Sequence, residues 1–382
     1  MTTGPDTGHP APSPVPAEPV MPVGAAASSP APAAARKRGA LFWVVTSLAV
    51  VFFFSTLVLL VLCAVLFAAI SAREGRGRFI KQTVCGEGPD EVLLLPVEGV
   101  ITTMGSSDLF GSYPGTVEWV QEQLRQARED ENISALILAV DSPGGEISAC
   151  DAIYQEILKY RQETDQKVVT LMRDTAASGG YYIACASDRI VAHPTTITGS
   201  IGVILPWIGF HGLMDKIGVE MRPIASGPHK ELGAGYRPMR EEERQLLQGI
   251  VNELHAQFVS VVEQGFARRG AALAPERIRT LADGMVYTGR RAKELGLVDE
   301  VGYLDDAVRE ACRLAGVTEA KVVRYRPRPG LLSLLFGGGM EARRAALDYS
   351  AGYAARADTP RFMYLWTAGQ GIILSSARMA VP

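Results

Sequence analysis

SALILAVDSPGGE, residues 134–146, runs an unbroken apolar stretch into an Asp-Ser-Pro-Gly-Gly turn. A strand that is apolar at successive positions is buried on both faces, as in the middle of a parallel sheet. The segments around it alternate in kind. Upstream, EVLLLPVEGVI (91–101) reads as a strand and TVEWVQEQLRQAREDEN (116–132) as an amphipathic helix. Downstream come the helix ISACDAIYQEILKYRQET (147–164), the strand KVVTLMRD (167–174), a helix opening within AASGGYYIA (176–184) and the strand DRIVAHP (188–194). Strands separated by helix-length segments need crossovers, so the predicted class is α/β with a mostly parallel sheet. MREEERQLLQGIVNELHAQFVSVVEQGFARR (239–269) predicts a long amphipathic helix that closes the core, with acidic residues in its first turns where they suit the helix dipole.

The rest of the chain divides by composition. Residues 1–40 form a Pro/Ala-rich tail with almost no large apolar side chains, expected to be disordered. Residues 41–70 carry no charge over a span longer than the roughly 20 residues that cross a bilayer, and read as a transmembrane helix rather than the shorter apolar core of a signal peptide. Arg36, Lys37 and Arg38 precede the span while Arg73, Arg76, Arg78 and Lys81 follow it, so charge counting does not decide its orientation. Residues 71–90 read as a linker, 91–326 as the folded domain and 327–382 as an extension. In that extension EARRAALDYSAGYAARA can form an amphipathic helix, and the apolar, glycine-interrupted FMYLWTAGQGIILSS is expected to dock on the protein or at a membrane surface rather than span it.

With 38 basic against 41 acidic residues the net charge is −3, which argues against nucleic acid as a partner. The five cysteines form no C-x-x-C and have no histidines at zinc-ligand spacing, so neither a disulfide framework, a metal site nor a cofactor is expected; buried small hydrophobes are the better reading.

Three stretches fall at strand ends, where open α/β sheets place their sites. In DSPGGE (141–146), Gly144 and Gly145 leave backbone N–H groups uncovered at a helix start, as an oxyanion hole requires, although a tight strand-to-helix turn would use the same glycines. In AASGGYYIA, Ser178 stands at a sharp strand-to-helix turn among small residues, placed either as a raised nucleophile or as an ordinary helix N-cap, and the N–H of Gly179 is a second oxyanion donor. Tyr181 and Tyr182 are expected to pack beneath it. A serine nucleophile needs a base. His193 has no acid paired with it in the sequence and leaves a Ser-His-Asp arrangement open. SGPHKELG (226–233) offers Lys230 instead, since a lysine freed of its proton by apolar surroundings serves a serine as base.

Taken in order, DSPGGE, AASGGYYIA, TGSIGV (198–203), SGPHKELG and DGMVYTGRRAKELGLVDEVG (283–302) resemble the signal peptide peptidase A family, membrane-anchored Ser-Lys proteases of the ClpP/crotonase fold. The resemblance runs from about residue 91 to about 315 and leaves the two ends of the chain without a family role. It implies that Ser178 is the nucleophile, Lys230 the general base and Ser200 the hydroxyl that orients the lysine, with Gly145 and Gly179 as oxyanion donors. His229 stands beside the lysine within an intact S-G-x-x-K signature. It further implies peptide substrates such as cleaved signal peptides, a catalytic domain outside the cytoplasm, and a homo-oligomeric ring in which Lys230 completes the site of a neighbour. Two other readings use the same residues: a crotonase-type acyl-CoA enzyme, and a non-catalytic membrane scaffold that binds peptides.

Overall fold

The computed structural model describes residues 35–73, 79–108, 111–271, 273–327 and 363–365. The tail before residue 35 and the helix expected at 341–357 lie outside them. The chain divides into two units, Met1–Gly75 and Arg76–Pro382.

In the first unit, helix α1 (Ala35–Arg73) contains Phe42–Val65, long and apolar enough to cross a membrane. Its large apolar side chains, among them Phe42, Trp43, Phe52, Phe53 and Leu62, are exposed, and an exposed surface of that kind calls for apolar surroundings.

The second unit runs in chain order as β1 (Phe79–Cys85), β2 (Asp90–Glu98), β3 (Ser106–Asp108), β4 (Gly111–Tyr113), α2 (Thr116–Arg128), β5 (Ile133–Ser142), β6 (Gly144–Glu146), α3 (Ile147–Thr164), β7 (Lys167–Ala177), α4 (Gly179–Ala184), β8 (Arg189–Ala192) and β9 (Ile197–Gly199). After these come α5 (His211–Ile217), α6 (Glu241–Arg268), α7 (Pro275–Leu281), β10 (Val286–Thr288), α8 (Gly289–Glu294), β11 (Glu300–Val301), α9 (Leu304–Ala315), β12 (Ala320–Pro327) and β13 (Met363–Leu365). The main sheet follows the path β1-β12-β2-β5-β7-β8-β11, parallel except where β1 meets β12, with β9 and β10 off this path and antiparallel to each other. The predicted α/β class with crossover helices is therefore the class observed. Strand β1 falls inside the stretch that composition marks as linker, because its exposed residues lack the apolar run by which central strands are recognised.

Strand β5 sits at the centre, and its alternation builds two cores. Leu136, Leu138 and Val140 pack on one face with Ile153, Tyr154 and Ile157 of α3 and Phe258 and Val262 of α6, while Ala135 and Ile137 pack on the other with Ala307, Ala311 and Cys312 of α9. Helix α6 closes the core only through its second half. Phe258, Val261, Val262 and Phe266 are buried, whereas Leu246 and Ile250 are exposed. Of the cysteines, Cys150, Cys185 and Cys312 are buried as expected and Cys63 and Cys85 are exposed.

The far end of the sheet departs from regular pairing at two points. The first part of β7 pairs with β8, but Thr175–Ala177 run on to pair with β9 instead, and β9 is held on its other edge by β10. The β5–β7 register slips between Val140 and Ser142, which releases the end of β5 into the turn that leads to β6. Replacing a central side chain tests the two-faced core. Leu138→Ala should cost about 3 kcal/mol of unfolding free energy, read from the urea midpoint, and a loss below about 1 kcal/mol would mean the strand is not enclosed in this way.

Candidate active site

Ser178 follows the last residue of β7 and begins α4, with φ 54 and ψ −113. Positive φ is costly for a residue with a side chain, of the order of 1–3 kcal/mol, and persists only where the surroundings enforce it. Here they do so from both sides. The Ser178 N–H donates to the Gly199 carbonyl at 2.8 Å, continuing the β7–β9 ladder, and its carbonyl accepts from the Tyr182 N–H at 2.9 Å as the first bond of α4. The residue is 1% exposed. Its hydroxyl makes no cap hydrogen bond, which removes the N-cap explanation for a serine at this position.

The glycines lie where the sequence places them. A Cβ on Gly179 would sit 2.4 Å from Cys150 Sγ and 3.1 Å from the Gly145 nitrogen, so the two amide-bearing residues are immediate neighbours and neither tolerates a side chain. A Cβ on Gly145 would meet the Ile101 carbonyl oxygen at 2.0 Å. Strand β6 is pinned by Ile101, whose N–H donates to the Gly144 carbonyl and whose carbonyl accepts from the Glu146 N–H, both at 2.9 Å. The alternation of a strand then turns the N–H and carbonyl of Gly145 toward the opposite edge. Glu146 secures the pinning loop by accepting from the Thr103 hydroxyl at 2.7 Å and the Thr103 N–H at 3.0 Å.

Ser200 is brought to the same place. It follows Gly199, the residue paired with Ala177, has φ 50, is 8% exposed and donates its N–H to the Met285 carbonyl at 2.7 Å. Tyr181 and Tyr182 are fully buried behind the serine, with hydroxyls donating to the Leu297 carbonyl (2.9 Å) and Asp151 (2.7 Å), so both act as packing. Sequence reasoning expected Cys150 to be buried but did not place it at this site, where its thiol lies against Gly179 and is pushed to higher pKa by burial. The helical spacing of Cys150 from buried Ile153 and Tyr154 puts it on the inward face of α3.

Lys230 is placed differently. Its side chain is exposed and makes no hydrogen bond or ion pair among the described residues. The backbone that carries it is nevertheless fixed. Trp207 Nε1 donates to the Gly233 carbonyl at 2.6 Å, Arg240 donates to the Pro228 carbonyl at 2.8 Å, and Arg237 bridges Glu231 and Glu243. Arg237, with Arg240 beside it, holds the buried Glu243 carboxyl well below the usual carboxylate range. Among the described residues no histidine hydrogen-bonds Ser178. The His193 ring rests 4.9 Å from Tyr303 and its pKa is lowered by burial and by Arg173, while His255 bonds the Ala282 carbonyl.

Known proteins bear on this geometry. The profile of Peptidase family S49 matches residues 160–318, which include Ser178, Ser200 and Lys230. A protein assigned as signal peptide peptidase SppA in Enterococcus faecium is 35% identical over 241 residues, 63% of this chain and 68% of that protein. One assigned as a protease in Synechocystis sp. is 37% identical over 235 residues, 61% of this chain and 82% of that protein. The chloroplastic serine protease SPPA of Arabidopsis thaliana is 36% identical over 64% of this chain but only 35% of its own length. Among solved structures, a mutant of the 1510-N membrane-bound stomatin-specific protease aligns at 17% identity and a TM-score of 0.38 over 59% of this chain and 86% of that one, a likeness that assigns no activity. Aligned at such identity over more than two thirds of the first two relatives, the chain belongs to the signal peptide peptidase A family of S49 peptidases.

Proposed function

We propose that this peptidase is a membrane-anchored serine endopeptidase that uses a Ser178–Lys230 dyad on cleaved signal peptides and other apolar, membrane-derived peptides. The observation that carries the reading is the uncapped Ser178 hydroxyl on a positive-φ turn beside the amides of Gly145 and Gly179. A peptide carbonyl lying against those amides presents its carbon to Ser178. Oγ attacks and Lys230 Nζ takes its proton, while the carbonyl oxygen becomes an oxyanion held by the two N–H groups. Collapse breaks the C–N bond, Lys230 returns the proton to the leaving amine, and an acyl-enzyme remains. Water then adds to the ester by the same route, again giving its proton to Lys230, and releases the acid with Ser178 restored. Ser200, at the adjoining strand end, orients the lysine.

A lysine works as a base only out of water, and Lys230 is exposed in the single chain. In the chain segment before it, Ile208, Leu213, Ile217, Met221 and Ile224 expose large apolar side chains. So many exposed apolar side chains within one short segment are the mark of a subunit contact. We infer that copies assemble into a closed ring in which this segment covers a neighbour's site and delivers Lys230 to it. The apolar helix α1 anchors the ring, with the catalytic domain outside the cytoplasm. The acyl-CoA and scaffold readings lose ground because neither gives a role to a strained, uncapped serine.

An activated fluorophosphonate should label the wild-type protein at Ser178 and leave Ser178→Ala unlabelled; labelling that survives the substitution refutes the nucleophile. Lys230→Ala should keep the wild-type assembly and lose more than about 1000-fold in peptide cleavage, whereas wild-type turnover would remove Lys230 from the chemistry. Co-assembled Ser178→Ala and Lys230→Ala subunits, each inactive alone, should recover roughly a quarter of wild-type activity if sites are shared around a ring. No recovery in confirmed mixed assemblies would confine the dyad to one chain. Cysteines introduced on the second unit should react with a membrane-impermeant maleimide in intact cells, and protection from it would reverse the proposed orientation.

A further inference from the structure

Three acidic residues open α6, and two of them, Glu241 and Glu242, are exposed, as first-turn acids that complement a helix dipole usually are. Glu243 is turned inward and is 1% exposed. Burying a carboxylate is costly unless it is paired and hydrogen-bonded. Glu243 accepts from Arg237 Nη1 at 2.9 Å and Nη2 at 2.6 Å, from Arg240 Nη2 at 2.7 Å and from the Arg240 N–H at 3.0 Å. Both guanidiniums have a second partner on the turn that carries Lys230. Arg240 Nη2 also donates to the Pro228 carbonyl at 2.8 Å, and Arg237 Nη2 to the Glu231 carbonyl at 3.0 Å. Those two carbonyls bracket Lys230.

The turn itself belongs to no helix or strand. Its own backbone supplies only local bonds, from the Lys230 N–H to the Gly227 carbonyl, the Leu232 N–H to His229 and the Ala234 N–H to Glu231. Side chains that reach it from the start of α6 therefore set its shape. We propose that Glu243 is a positioning residue of the peptidase: it meets no substrate, but through Arg237 and Arg240 it fixes the backbone on either side of Lys230 and so sets how often the amine is presented to a serine. The inference rests on the Lys230 reading above. A base on a wandering turn is in reach for only a fraction of the time, and kcat falls by that fraction while substrate binding is unchanged. The two guanidiniums hold the Glu243 carboxyl well below the usual carboxylate range, so the clamp stays charged wherever a lysine can act as a base.

In the full-length protein Glu243→Gln keeps the size of the side chain and removes its charge. It should lower kcat roughly 10-fold with KM within about 2-fold of wild type, and speed amide hydrogen exchange at residues 230, 232 and 234. Glu243→Asp restores the charge one methylene short and should recover most of kcat. Arg240→Gln changes a half-exposed side chain that folding tolerates, and should lower kcat about 3-fold through loss of the Pro228 contact. Added to Lys230→Ala, Glu243→Gln should alter the residual rate less than about 2-fold, because the amine it acts through is gone. A lowered urea midpoint in Glu243→Gln with kcat, KM and exchange unchanged would make Glu243 a packing group and overturn the proposal. So would a further loss of the full size on the Lys230→Ala background. An inactive Lys230→Ala beside a fully active Glu243→Gln refutes the positioning role alone, whereas wild-type turnover in Lys230→Ala refutes the base and the positioning role with it.

Discussion

One hydrogen bond organises this site: the Ser178 N–H to the Gly199 carbonyl, at 2.8 Å. It is the last rung of the short β7–β9 ladder and carries the strand geometry one residue past the point where α4 must begin. The serine is left to absorb the change of direction by itself, at φ 54. Its side chain is therefore raised from the sheet edge rather than folded back onto the helix start. The cost of that backbone is met by the fully enclosed packing behind it, where Tyr181, Tyr182, Ile183 and Ala184 have no exposed surface.

The same ladder explains why the site is compact. Because Ala177 pairs with Gly199, Ser200 comes to the end of β9 beside Ser178 without any longer-range arrangement. Because β5 slips register at its end, β6 is released to lie across from α4, and the absence of side chains at Gly145 and Gly179 lets the two backbones meet. The three-residue strands β6 and β9 place Gly145 and Ser200 beside the end of the long strand β7 that leads into Ser178.

Legibility in the sequence follows element length. The apolar run of β5, the helix-length crossovers and the placement of motifs at strand ends were readable because their periodicity extends over eight or more residues. Strands β6, β9 and β13 are too short for any period, so their pairing could be found only in three dimensions. The choice between a capping and a catalytic Ser178 depends on a torsion angle that composition does not encode. Half of α6 reads as core but lies exposed, because an amphipathic pattern records an apolar face and not what packs against it. Lys230 belongs to the same case, since its segment is fixed by Trp207, Arg237 and Arg240 while its side chain faces outward.

A structure of the full-length assembly with a peptide electrophile bound tests the central claim most directly. The Ser-Lys mechanism predicts a covalent bond from Ser178 Oγ to the former carbonyl carbon, with its oxygen about 2.7–3.1 Å from the amides of Gly145 and Gly179. It also predicts the Lys230 amine of an adjoining subunit within hydrogen-bond reach of that Oγ, shielded from water. An adduct on another residue, or Lys230 still facing solvent in the complete assembly, would contradict it.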